Sequence, residues 1–497
     1  MDIMEQCRAW NENDEYQMIV DAIEALPGEA RTPELDSELG RAYNNLAGVE
    51  DRELYEKAIA VLKPHEEYFA KDHNWNFRMA FAYYYLDQEG PALRYFQQAL
   101  EARPGDGDTQ AFIDDCRQRL LLPRFGRNFR ERTAEAWAAF GAGEAGLREL
   151  LDRKDQDEAA AELVAKCGAI LSTALENPAF ELGFNGEKYE LILTPEGDRV
   201  KLFELVYFRR QAPAEVLERW NILVGRQPFG GSALRIYGQE ISAADVRFRA
   251  EPKGEGDKPT GVDLTLYCGK LLPMLREREQ HAWLLLSILT DQVLGEIPAM
   301  AVIEGFQVAD APLEGPDMAL TQLPGALEQM GLRLERDAAA FLENGYTAYR
   351  MEPNKDPDAD WRLDVYAGST RCPALVSEYL HGESGAMDSL HADGAVAGFF
   401  CYPLDGFTGG DRAAAVLDFR DTLEAAVRER AGAQCVTFLG GASGVYCGYL
   451  DFIAWDLPAV LDAAAEFFKA APLAWANFHT FRRNVGTLRL LNREEQG

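Results

Sequence analysis

The stretch HNWNFRMAFAYYYLDQEGPALRYFQQALEARPGD, residues 73–106, decides the fold of the chain. Apolar residues recur within it at steps of three and four, the period of a helix with one buried face, over residues 77–86 and again over residues 91–102. Residues 87–90 (DQEG) interrupt the pattern, and Pro91 suits the first turn of a new helix because its missing N–H would have no partner there. The stretch therefore predicts two helices joined as a hairpin.

Small and bulky residues are placed in this hairpin so that two helix axes can approach closely. Ala80 and Ala92 are small at the expected contact, while Tyr83 and Phe96 fill the space beside them. The full pattern comprises Met79, Ala80, Tyr83, Ala92, Phe96, Ala99 and Pro104. At this spacing the segment resembles the tetratricopeptide repeat, a helical hairpin of about 34 residues. The resemblance implies a stack of hairpins, because one hairpin cannot bury its apolar face alone.

Weaker copies of the pattern flank the hairpin on both sides. Residues 39–43 (LGRAY) repeat the pattern of residues 79–83 (MAFAY) 40 positions earlier, and residues 54–69 predict the helix that follows. Residues 1–26 predict a further pair of short helices, and residues 108–121 predict a closing helix. About three degenerate repeats result, close to the minimum for a stable stack.

The chain is long enough for several domains. With 497 residues and about 150 residues per domain, about three domains are expected. After the repeats, alternating strand patterns appear between amphipathic helices, which predicts α+β domains with mainly antiparallel sheets. The predicted fold is multidomain, with an all-α helical-repeat domain at residues 1–122 and α+β domains at residues 129–312 and 318–492. Both α+β domains resemble uncharacterised bacterial domains, and that resemblance implies no activity.

The charge of the chain limits the class of partner. Its formal net charge is −32 and its pI is about 4.6. Phosphates and anionic headgroups would be repelled, so we expect no nucleic-acid partner and no membrane partner, whereas a basic protein would be attracted. In the alternative interpretation, the acidic surface only keeps the protein soluble.

The cysteines and the N-terminal sequence bear on location. The eight cysteines form no C-x-x-C motif and lie mostly among apolar residues, which is typical of small core residues in a reducing compartment. Residues 1–5 do not begin a signal peptide, and no run of apolar residues approaches about 18 positions. We therefore expect a cytoplasmic protein.

Two segments carry residue types that are found in catalytic or metal sites. Residues 439–444 (LGGASG) could face an anion and present Ser443, but they match neither a nucleophile elbow nor a phosphate loop. A tight turn between Phe438 and Tyr446 is the preferred interpretation. His381 and His391 are ten positions apart in a predicted solvated loop that contains Gly and Ser, a spacing that does not place them on one helix face. We expect no catalytic residue, no metal and no cofactor.

The candidate binding site lies on the predicted helical stack. In stacks of this family the first helices of successive hairpins line a concave face. That face would carry Ser37, Arg41, Asn44, Asn45, Phe77, Phe81, Tyr84 and Tyr85. Arg41 and Asn44 could hold a peptide carboxylate or backbone while the aromatic residues take an apolar side chain. In the alternative, the aromatic residues belong to the core or are covered by the α+β domains.

Three hypotheses for function follow. The first is a non-catalytic adaptor that binds a protein or peptide in the helical-repeat groove. The second is an acidic neutraliser of a basic protein, as in an immunity partner of a toxin, and it rests on the net charge. The third is an enzyme that uses the Gly-rich segment at residues 439–444 or the segment between His381 and His391.

Overall fold

The fold begins with helices, as the sequence predicts. The computed structural model of the chain describes residues 2–49, 51–153, 156–229, 233–236, 239–254, 259–315, 318–408 and 411–493. The first helices are α1 (Ile3–Glu12), α2 (Tyr16–Glu24), α3 (Pro33–Leu46), α4 (Arg52–Leu62), α5 (His73–Tyr85), α6 (Glu89–Ala102) and α7 (Gly107–Leu121). Successive helices pack against each other from α1 to α7, and they are called the helical stack below.

Polar residues fix where three of these helices begin. The side chains of Thr32, Asp72 and Asp106 accept hydrogen bonds from backbone N–H groups in the first turns of α3, α5 and α7. Such caps satisfy donors that have no partner inside the helix. The helix predicted for residues 54–69 ends early, at Leu62, because Pro64 follows and cannot continue an α-helix.

The middle of the chain mixes helices with small sheets. Strands β1-β2-β3 form one sheet, β4-β5 a second and β6-β7-β8 a third. Most strand pairs are antiparallel, but β2 and β3 run parallel, as do β7 and β8. The elements are α8 (Phe129–Leu151), α9 (Gln156–Leu171), β1 (Phe180–Phe184), β2 (Tyr189–Leu193), α10 (Arg199–Arg210), α11 (Ala214–Leu217), β3 (Trp220–Val224), β4 (Ala233–Ile236), β5 (Gln239–Ser242), β6 (Arg247–Lys253), β7 (Gly261–Tyr267), α12 (Leu272–Glu277), α13 (Glu279–Leu294), α14 (Glu296–Val302), β8 (Ile303–Val308), α15 (Leu323–Gln329) and α16 (Ala338–Asn344).

A seven-stranded sheet follows. Its order is β15-β14-β11-β13-β12-β10-β9, and the pairs from β15 to β10 are antiparallel. Every residue of β11 and β13 is buried, because both faces of the central strands are covered. The elements are β9 (Thr347–Arg350), β10 (Val365–Thr370), α17 (Pro373–His381), α18 (Gly385–Asp393), β11 (Val396–Pro403), α19 (Arg412–Ala431), β12 (Val436–Gly444), β13 (Cys447–Ala454), α20 (Leu457–Ala470), β14 (Trp475–Thr480) and β15 (Leu488–Asn492).

The chain groups into two compact units. One unit comprises Met1–Phe129 together with Ala348–Gly497, and the other comprises Arg130–Thr347. The first unit therefore contains both the helical stack and the seven-stranded sheet. The finer division into three domains, at residues 1–122, 129–312 and 318–492, stays a prediction.

Within the first unit the helical stack is joined to α18 and to the segment that follows β14. Glu89, at the start of α6, is 3.1 Å from the ring nitrogen Nε2 of His391. Asp388 forms an ion pair with Arg482 at 2.6 Å, beside Gly90, where a Cβ atom would lie only 1.9 Å from Asp388 Oδ1. A larger residue at this position would have to displace the side chains of Asp388 and Arg482.

A buried ion pair lies at the centre of the seven-stranded sheet. Arg362 and Asp451 are bound through two nitrogen–oxygen contacts of 2.5 and 3.2 Å. Their side chains are 1% and 0% exposed. The guanidinium also lies 5.1–5.3 Å from the centres of three rings, those of Phe399, Tyr449 and Phe481.

In the part of the chain that the structure describes, no single helix is long and apolar enough to cross a membrane. The bent pair α13 and α14 meets that test of length and composition only when the two helices are taken together.

Candidate functional site

Two neighbouring helices carry all the predicted binding residues. Helix α3 contains Ser37, Arg41, Asn44 and Asn45, and helix α5 contains Phe77, Phe81, Tyr84 and Tyr85. The two helices contact each other directly in the helical stack. The structure thus places the polar group on one helix and the aromatic group on the next.

The aromatic residues of α5 form a continuous cluster with Phe112 of α7. Ring centres are 6.2 Å apart between Phe77 and Phe81, 4.6 Å between Phe81 and Tyr85, and 5.1 Å between Tyr84 and Phe112. All five side chains are half-buried. We call Phe77, Phe81, Tyr84, Tyr85 and Phe112 the aromatic cluster.

Phe96 of α6 connects the aromatic cluster to the buried core of the helical stack. Phe96 is fully buried, and its ring centre is 4.8 Å from that of Phe112 and 5.4 Å from that of Phe77. The cluster is therefore neither wholly core nor freely exposed. Sequence reasoning missed Phe112, although it lies in the predicted closing helix, between Ala111 and Ile113.

Hydrogen bonds hold one member of the cluster in place. The hydroxyl of Tyr84 donates to Asp115 Oδ2 at 2.7 Å and accepts from Arg119 Nη2 at 2.8 Å. The guanidinium of Arg119 also lies over the Tyr84 ring, 4.7 Å from its centre. Burial and the bond to Asp115 raise the pKa of Tyr84 above its ordinary value. Tyr84 is thus fixed in its rotamer as a neutral, polar edge of the cluster.

Arg41 belongs to a half-buried group of three charges. Glu38 forms ion pairs with Arg41, one helical turn away, and with Arg78 of α5 at 3.0 Å. The side chains of Arg41, Arg78 and Glu38 are 25%, 14% and 14% exposed. Two guanidinium groups share one carboxylate, so this group of three carries one excess positive charge.

Ser37 and Asn44 connect α3 to α5. Asn44 Nδ2 donates to the backbone oxygen of Arg78 at 2.9 Å. The Arg78 guanidinium in turn donates to the backbone oxygen and hydroxyl of Ser37. Both Ser37 and Asn44 are buried, whereas Asn45 is exposed. These bonds set the spacing between the two helices that carry the candidate site.

The Gly-rich segment lies inside strand β12. Strands β12 and β13 do form a hairpin with a tight turn, but the turn is at residues 445–446, so the assignment of the glycines to it is wrong. Glycine is required where neighbours approach closely: a Cβ on Gly440, which has φ of +131°, would lie 2.2 Å from the backbone oxygen of Ser369. Ser443 Oγ accepts a hydrogen bond from Arg420 at 3.2 Å. The glycines are therefore explained by strand packing.

The two histidines of the second segment lie on helices. His381 ends α17 and His391 lies near the end of α18, so the predicted loop is wrong. His391 contacts Glu89, and His381 Nδ1 is 2.8 Å from the backbone oxygen of Ser377. Among the residues whose structure is described, no group of three His, Cys, Asp or Glu side chains is placed to hold a metal ion.

The cysteines are all free and buried. Burial raises the pKa of Cys116 and of Cys447 to about 12. These two thiols therefore stay protonated at neutral pH, and the thiolate needed for nucleophilic or metal chemistry is not available.

In comparisons with known proteins, the chain matched no protein-family model, no curated protein and no solved structure.

Proposed function

We propose that the chain is a non-catalytic adaptor that binds a segment of another protein on the aromatic cluster of the helical stack. The observation that supports this proposal is that five half-buried aromatic side chains contact each other across α5 and α7. Rigid aromatic surfaces of this kind favour binding because they bury a large area with little loss of side-chain entropy. The proposal includes a degenerate tetratricopeptide-type stack formed by α1 to α7.

The chemistry of the cluster suggests what the bound segment contains. The faces of Phe81 and Tyr85 would accept an aliphatic or aromatic side chain. The excess positive charge at Arg41 and Arg78 would favour a carboxylate on the same segment. We therefore propose a peptide ligand in which an apolar residue lies near an acidic residue or a free C-terminus.

Substitutions at the edge of the cluster test this proposal. Proteins from a lysate of the source organism would be captured on the full chain, and each captured protein would be purified and titrated by calorimetry. We expect Phe81→Ala combined with Phe112→Ala to weaken binding about 30-fold or more, since the loss of an aromatic anchor costs about 2 kcal/mol.

The matched control is Tyr68→Ala. Tyr68 is an aromatic residue of the same stack, it is 64% exposed and it lies outside the cluster, so its loss should leave affinity unchanged. Circular dichroism would establish that both variants keep their helices. If a purified partner binds the double variant and the wild-type chain equally well, the aromatic cluster is not the binding site.

The net charge of −32 supports a second candidate function, the neutralisation of a basic protein. Binding of that kind would weaken steeply when salt is raised from about 50 to about 200 mM, because screening acts on exposed charges. It would be insensitive to Phe81→Ala and Phe112→Ala. For either function we infer a cytoplasmic location, which the eight free thiols support.

A further inference from the structure

A sharp corner joins α13 to α14 in the second compact unit. The two helix axes differ in direction by 104°, and the chain turns at Gly295, which has φ of +88°. A Cβ there would lie 3.1 Å from Pro228 Cδ, so the corner also packs closely against the segment that follows β3. Asp291 lies one helical turn before Gly295, and Glu296 directly follows Gly295.

Backbone hydrogen bonds attach residues 225–229 to this corner. The N–H of Glu296 donates to the backbone oxygen of Arg226 at 2.9 Å, and the N–H of Phe229 donates to that of Gln292 at 2.7 Å. The carboxylate of Glu296 accepts from the N–H of Arg226 and from the hydroxyl of Thr194, each at 3.0 Å. Glu296 is thus hydrogen-bonded to the segment that follows β2 and to the segment that follows β3.

The side chain of Arg226 faces four carboxylates from four different elements. Glu181 of β1 is the nearest, at 2.9 Å, and Glu196, which follows β2, is at 3.8 Å. Asp291 of α13 and Glu296 of α14 are also at 3.8 Å. Arg226, Asp291 and Glu296 are 16%, 14% and 1% exposed. Glu181 and Glu196 are 51% and 65% exposed, so water screens them. Asp291 and Glu296 are shielded from water and must share the single cation Arg226.

We propose that the α13–α14 corner is a proton-sensitive latch, which is closed when Asp291 carries a proton and loosened when Asp291 is ionised. This inference goes beyond the proposed binding function and does not depend on it. The proton removes one of the four negative charges around Arg226, and with it the repulsion of Asp291 by Glu296 and Glu181. Because Asp291 lies within one turn of Gly295, its charge acts directly on the corner.

The pKa of Asp291 determines the pH range over which the latch opens. Burial and the neighbouring Glu296 raise this pKa from 3.8 to about 7, against the opposing effect of Arg226. A carboxyl with a raised pKa binds its proton more tightly in the closed state than in the open state. The closed state is therefore most stable at low pH and loses stability as the pH rises toward 7. Linkage predicts that the opening equilibrium rises about tenfold between about pH 6 and about pH 8.

Hydrogen exchange of the full chain tests the latch. The amides of Arg226, Phe229 and Glu296 would be followed at the two pH values and corrected for the intrinsic pH dependence of exchange. We expect their protection to fall about tenfold at the higher pH. Asp291→Asn should remove this response and keep the protection found at the lower pH. Asp310→Asn, an exposed aspartate of the same unit, should respond like the wild-type chain.

A second variant serves if Asp291→Asn fails to fold. Glu181 is 51% exposed, and Glu181→Gln removes one of the competing anions and frees Arg226 to interact with Asp291. We expect the midpoint of the response to move to lower pH. Equal protection of the wild-type amides at both pH values would overturn the proposal, as would a full response in Asp291→Asn or an unchanged midpoint in Glu181→Gln.

Discussion

Removal of the positive charge at the centre of the seven-stranded sheet should destabilise the first unit strongly. Arg362→Met keeps an unbranched apolar stem but leaves the carboxylate of Asp451, which is 0% exposed, without its cation. It also leaves the hydroxyl of Tyr349 without the 2.7 Å bond that Arg362 Nη2 donates. Loss of one partner from a buried ion pair costs about 3–5 kcal/mol.

A double-mutant cycle on Arg362 and Asp451 should show a specific pattern of destabilisation. Arg362→Met should cost about 3–5 kcal/mol, whereas Arg362→Met combined with Asp451→Val should cost less than half of that, because neither charge then remains buried. The matched control is Arg483→Met. It breaks the ion pair to Asp360, whose side chain is 46% exposed, and should cost less than about 1 kcal/mol.

The assay is urea unfolding at neutral pH, followed by near-ultraviolet circular dichroism so that the tightly packed aromatic residues report on the sheet. In a thermal scan the single variant should also unfold roughly 10 °C lower than the wild-type chain. If Arg362→Met unfolds within about 1 kcal/mol of the wild-type chain, the buried pair does not stabilise the sheet in this way. The same conclusion holds if the double variant is as unstable as the sum of its single changes.

Two further predictions concern the same unit. Contacts with His391 hold the pKa of the Glu89 carboxyl below its ordinary value despite burial, so Glu89 contributes stability that is present at neutral pH and lost as the pH falls below about 4.5. Glu89→Gln should therefore lower the unfolding midpoint more at about pH 7 than at about pH 3. Glu101→Gln, on the exposed face of α6, should change neither midpoint. Gly440→Ala should destabilise the sheet by about 2 kcal/mol or more, because its Cβ would meet the Ser369 backbone, whereas Gly107→Ala has open space and should be neutral in the same urea titration.

Local patterns predicted the helical stack well. The sequence signals for this hairpin, a polar break at residues 87–90 and apolar steps on either side of it, depend only on residues within the hairpin. Helices α5 and α6 lie where these signals place them. The aromatic side chains of α5 could likewise be assigned to one surface from their spacing alone. Their contact with Phe112 could not, because it depends on how α7 packs against α5.

Contacts between residues that are far apart along the chain could not be predicted from the sequence. Glu89 meets His391, and Arg362 meets Asp451, across 302 and 89 positions, and no local period relates such residues. The Gly-rich segment at residues 439–444 was wrongly predicted as a turn for the same reason. Glycine in a strand and glycine in a turn look alike until the neighbouring strand, with Ser369, is known. The parallel pairing of β2 with β3 was also unpredictable, since strand direction is decided by the connection between the two strands.

The division of the first unit between the two ends of the chain has a consequence for biosynthesis. About 220 residues separate Phe129 from Ala348, and a ribosome that adds about 5–20 residues per second needs roughly 10–40 s to make them. During that time the nascent helices lack Val485, which packs against the core formed by Trp75 and Phe96. The helices are therefore synthesised well before the segment that covers part of their core, and we expect them to depend on a chaperone during that interval.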